Sequence, residues 1–73
     1  MLRELEIYRE LKDAIIVHLS SLKHDRIDDM LESEGMIRAY AKVLQDDKIN
    51  TKFLDIDNCE KIIKYCTNEM GIE

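Results

Sequence analysis

The sequence predicts an all-α fold, an antiparallel helical hairpin plus a shorter third helix, on three observations. Apolar residues recur at three- and four-residue steps through most of the chain, the period of a helix face rather than of a strand. Proline is absent and the only glycines are Gly35 and Gly71, whereas a β-rich domain shows turn residues about every eight to twelve positions. The 73 residues suffice for one domain, 1–73, and no internal repeat or low-complexity stretch divides them.

A domain of this length buries only about 60% of the surface its unfolded chain exposes. Disulfides, metals, partner subunits or very regular packing usually compensate. Cys59 and Cys66 stand seven residues apart on one expected helix, about 10 Å along its axis and beyond disulfide reach. They also lack the i, i+3 or i, i+4 spacing of helical metal ligands. Both therefore read as small apolar core residues of a reducing compartment.

The first helix is expected over residues 2 to 22, with a stripe of Leu5, Tyr8, Leu11, Ile15, Leu19 and Leu22 opposite Arg3, Glu6, Glu10 and Asp13. From Ala14 through Ile15 and Ile16 to Val17 the apolar residues are consecutive and point round more than one side. One neighbouring helix cannot cover all four. Either a third helix of the same chain covers the second side or another subunit does, and the small number of elements favours self-association.

The second helix is expected over residues 25 to 46. Its stripe of Ile27, Met30, Leu31, Ile37, Ala41 and Leu44 marks it as the element around which the others pack. Asp25 is a candidate N-cap, with Asp28 and Asp29 in the first turn where the helix dipole favours negative charge. Because Lys23 to Arg26 contains neither glycine nor proline, one unbroken rod of some forty residues competes with the hairpin. The hairpin is preferred, since the rod would leave two thick apolar stripes without intramolecular cover. Gly35 and Ala39 lie one turn apart and either admit a close helix crossing or sit idle at the surface; the crossing is the favoured reading. Tyr40, with Met36 and Val43, is expected at the core edge with its hydroxyl towards water.

Residues 46 to 52 form the connector, and Phe53, Leu54 and Ile56 are expected to anchor the returning chain on the open end of the hairpin. Asp57 and Glu60 match a capping box for a third helix over 57 to 70, with Cys59, Ile62, Ile63, Cys66 and Met70 as its apolar stripe. Gly71 suits a left-handed cap, with Ile72 closing a Schellman-type contact.

A formal net charge of -5 argues against direct nucleic-acid binding. The longest apolar run, Ala14 to Val17, is far too short to span a membrane, and the charged first twelve residues hold no signal-peptide core, so a cytoplasmic location is expected. No catalytic, cofactor or metal motif is present. His18 and His24 point in different directions, and His18, beside Leu11, Ile15 and Leu22, reads as a half-buried structural histidine. Asp55, Asp57 and Glu60 lack the glycine and the final glutamate of a calcium loop. Asp28, Asp29, Glu32 and Glu34 make an acidic face, either a solvated helix start or a surface for a basic protein.

The segment EIYRELKDAIIVHLSSLKHDRIDDMLESEGMIRAYAKVL, most of all Ser33 to Tyr40, resembles the short helical-hairpin accessory proteins of tailed bacteriophages. That resemblance implies a small accessory protein acting in virion assembly or on a host protein, and it assigns no role to any residue. The expected function is therefore non-catalytic protein–protein interaction, with homo-oligomerisation through Ala14, Ile15, Ile16, Val17, Gly35 and Ala39. The alternative is an acidic inhibitor that occupies a host nucleic-acid-binding protein by presenting carboxylates in place of phosphates.

Overall fold

Three helices, α1 (Glu4–His24), α2 (Ile27–Leu44) and α3 (Ile56–Asn68), make up the computed structural model, which describes residues 3–73. The expected start of the first helix at residue 2 lies outside the described residues. α1 and α2 form the antiparallel hairpin, and the short α3 packs on the other flank of α1. The single long rod is thereby ruled out, and the reason lies at Asp25. It does not cap α2 as expected but ends α1 in a left-handed conformation, φ 54° and ψ 41°. Aspartate tolerates this region better than most residues. The Asp25 and Arg26 amides both donate to the Ser21 carbonyl, closing the helix end without a glycine.

α1, not α2, is the element the others pack around. It buries Tyr8, Leu11, Ala14 and Ile15 together with the polar Lys12, His18 and Ser21, whereas α2 fully covers only Ser33 and Ile37. No Cα of α2 comes within 8 Å of one in α3, so each is held through α1 and the connector. Ile27 and Leu31 remain about two-thirds exposed for that reason: α2 has one neighbouring helix, and its apolar arc is wider than one neighbour covers. Leu5 of the expected α1 stripe is also exposed. The core proper joins Leu11 and Ile15 of α1 to Ile37 of α2 and to Cys59, Ile62 and Cys66 of α3, with Ile49 and Ile72 from outside the helices completing it. Each such aliphatic side chain contributes about 1.5–3 kcal/mol on burial.

The close crossing expected at Gly35 and Ala39 is not formed. Both residues are exposed, and a Cβ placed on Gly35 would meet nothing within 4 Å. Of the three expected anchors of the returning chain only Leu54 packs on the core; Phe53 and Ile56 stay exposed. Asp55 rather than Asp57 caps α3, its Oδ1 accepting the Asn58 amide at 2.8 Å. Two residues earlier than expected, it serves because the connector is itself braced there. The Asn58 side-chain amide donates to the Asn50 and Phe53 carbonyls at 2.6 Å each. At the other end Gly71 is left-handed, as expected, with φ 67°. The Ile72 amide reaches the Cys66 carbonyl at 3.1 Å, one residue further back than in a Schellman turn.

Candidate interaction surfaces

The internal polar groups are committed to holding the helices together. His18, buried on α1, meets Ser33 of α2 at 2.8 Å from Nδ1 to Oγ. Ser33 Oγ also lies 3.1 Å from the Met30 carbonyl oxygen, so the hydroxyl bridges the His18 ring and the α2 backbone. Lys12 donates across the α1–α3 side to the Ile72 carbonyl at 3.1 Å. No buried side-chain nitrogen or oxygen among the described residues lacks a partner. His18 is 3% exposed, more fully buried than the half-buried position expected from the sequence.

Asp46 ties the third helix to the first. Its Oδ2 accepts the hydroxyls of Tyr65 at 2.6 Å and Tyr8 at 2.7 Å, while its Oδ1 accepts the Lys48 amide at 3.0 Å. Hydrogen bonds from the two phenols hold the carboxyl below its ordinary range. The phenols move the other way. Burial and then the bond to Asp46 raise Tyr8, and the bond to Asp46 followed by burial pushes Tyr65 up to about 12. Burial, with Asp55 nearby, likewise pushes the Cys59 thiol up to about 11, and burial raises Cys66. Both cysteines are free and fully covered, as their place on an apolar stripe implied.

Two outer surfaces, on opposite flanks of α2, combine exposed apolar residues with a hollow. The four consecutive apolar residues of α1 divide: Ala14 and Ile15 are buried, while Ile16 and Val17 are about half exposed. Two successive residues on a helix point about 100° apart, so Ile16 and Val17 do not share one surface. Val17 instead joins α2 in an outer groove of about 230 Å³, with Ala14, Ser33 and Met36 as its floor. Along its rim stand Glu10 and Asp13 of α1 and Asp29 and Glu32 of α2, and no lining residue is basic.

The acidic face read from the sequence is therefore split. Asp29 and Glu32 turn into this groove, Asp28 is exposed elsewhere, and Glu34 lies on the other flank in an ion pair with Arg38 at 2.8 Å. Glu10 and Asp13 were not singled out as site residues. Their spacing with Val17 on one helix face was the available signal, but only the hairpin register brings them opposite Asp29 and Glu32.

The other flank carries a second hollow, of about 430 Å³, where Leu22, Met30, Leu31, Phe53 and Leu54 surround His18. Leu31 and Phe53 are 63% and 65% exposed, with Ile27 one turn from Leu31 and Ile56 beside Asp55. Here the charge is balanced: Glu34 and Asp55 against Arg38 and Lys52. Arg38 also donates to the Thr51 carbonyl at 2.8 Å, and Lys52 Nζ lies 5.7 Å from the centre of the Phe53 ring. These contacts hold the connector against α2 and present the Phe53 ring outward.

No helix among the described residues is long and apolar enough to cross a membrane. Compared with protein-family models, with curated proteins and with solved structures, the chain matches none.

Proposed function

We propose that this chain is a non-catalytic interaction protein that self-associates, a small accessory or assembly component of the kind its Ser33 to Tyr40 segment resembles. The observation that carries this reading is the exposed apolar surface of Leu31 and Phe53 at the second hollow, with Ile27 and Ile56 exposed next to its lining residues in the chain. Small monomeric domains do not ordinarily leave such residues grouped in water. A two-fold interface must be complementary to itself, and this surface supplies both halves: a projecting Phe53 ring beside a hollow, and two charges of each sign. A second copy can set Lys52 against Asp55 and seat one Phe53 beside the other copy's Leu31.

Self-association is proposed at Leu31 and Phe53, where the sequence suggested Ala14 to Val17 with Gly35 and Ala39. Size-exclusion chromatography with light scattering tests it on Leu31→Glu and Phe53→Glu, with Ile16→Glu as the comparison. All three positions are exposed, so far-UV circular dichroism should report an unchanged helix content. The first two variants are expected at the 8.6 kDa mass of one chain, with Ile16→Glu retaining the oligomer. Loss of the oligomer in Ile16→Glu alone would overturn this placement.

A further inference from the structure

The groove on the opposite flank differs from the self-association surface in charge. It is apolar along its floor, where Val17 is 50% and Met36 42% exposed, and four carboxylates but no basic residue line it. The ion pairs among the described residues, Arg38–Glu34 and Lys61–Asp57, both lie elsewhere. A second copy of this chain laid on the groove in two-fold fashion would set carboxylates against carboxylates, which costs energy at every rim position. The same charges repel nucleic-acid phosphates and anionic lipid.

We propose that the outer groove between α1 and α2 docks a basic amphipathic helix of another protein. The groove is the furrow between two antiparallel helices, the shape into which the ridge of a third helix packs. From Glu10 to Val17 it runs about 10 Å along α1, so two turns of a partner helix cover it. Apolar residues at i, i+3 or i+4, and i+7 of that helix rest on Val17 and Met36. Its lysines or arginines, one step to either side, reach Glu10 and Asp13 on one rim and Asp29 and Glu32 on the other. Rim charges of this kind speed encounter and select the partner, while the floor supplies the apolar contact.

The test uses the full chain and a fluorescein-labelled helical peptide of two heptads, with leucines at helical spacing and lysines on both sides of them. A twin peptide carries glutamate in place of lysine. Anisotropy is expected to show binding of the lysine peptide only, weakening about tenfold or more as salt rises and the charges are screened. Asp13→Lys/Glu32→Lys should weaken it by a further factor of about ten, whereas Asp47→Lys/Glu60→Lys, an equal change of net charge at exposed sites away from the groove, should alter it less than about twofold. Met36→Ser, which leaves every charge in place, should also weaken binding.

Circular dichroism on the same samples verifies that each variant is folded. Equal effects of the two charge-reversal pairs would reduce the binding to overall negative charge and overturn the proposal. So would comparable affinity for the glutamate peptide. If Asp13→Lys/Glu32→Lys instead lowers the mass of the unliganded protein, the occupant is a second copy and the proposal is likewise overturned.

Discussion

Replacing Ile37 with alanine should remove most of what fastens α2 to the rest of the molecule. α2 fully covers two side chains, and Ile37, with no exposed surface, is the only large apolar one. Cavity-forming Ile-to-Ala changes cost about 2–5 kcal/mol. The lower end needs a site that collapses freely and the upper end one that does not move. α2 has a single helix neighbour, but Leu11 and Ile15 pack with α3 in the same core, so about 3 kcal/mol is expected here. A 73-residue domain has about 4–11 kcal/mol in all, so the variant loses a quarter or more of its stability. That loss lowers Tm by about 12–24 °C. Urea and thermal unfolding followed by circular dichroism measure it, with Val43→Ala at an exposed position of the same helix as the reference, expected within about 0.5 kcal/mol of zero. If Ile37→Ala costs no more than Val43→Ala, the packing of α2 on α1 described here is wrong.

Three further outcomes follow from the same geometry. Gly35→Ala should stabilise the protein by about 1 kcal/mol, because the added methyl meets nothing and alanine is the better helix former; a loss of stability would restore the close crossing that the fold lacks. The Asp46 cluster sets a pH window. Since the folded carboxyl is held below 3.8, its contribution is present above that value and lost as pH falls through the lower folded value. Tyr65, raised from 10.0 to about 12, contributes fully below pH 10.0 and loses that contribution as pH rises through about 12. Asp46→Asn should flatten both limbs of a plot of urea midpoint against pH, and an unaltered plot would remove Asp46 from the account. Finally, Cys59 and Cys66 should resist a thiol reagent at pH 8 until the chain unfolds; prompt labelling of the native protein would contradict their burial.

Periodicity made the helix count and the third helix's buried stripe of Cys59, Ile62 and Cys66 legible, because α3 has one apolar face and hides it. The same signal misled for α2. Ile27 and Leu31 have the spacing of a core stripe, but spacing reports that a face is apolar, not that anything covers it. Which helix stands in the middle depends on how many neighbours each has, and that is decided by the loops. Local capping chemistry was ambiguous for a related reason. Asp25 fits an N-cap and a left-handed helix end equally well, and Asp55 and Asp57 both suit the start of α3, so the choice fell to tertiary contacts such as Asn58 with Asn50. The outer groove was beyond reach from sequence alone, since Asp13 and Glu32 face one another only once the two-residue link at Asp25 and Arg26 fixes the hairpin.

Sedimentation equilibrium of the unaltered chain, run from micromolar to near-millimolar concentration at moderate salt, tests most directly whether the Leu31 and Phe53 surface is an assembly face. A mass that climbs with concentration from 8.6 kDa to a whole-number multiple, with little dependence on salt because the surface charges balance, is the predicted result. A constant 8.6 kDa across the whole range would contradict it.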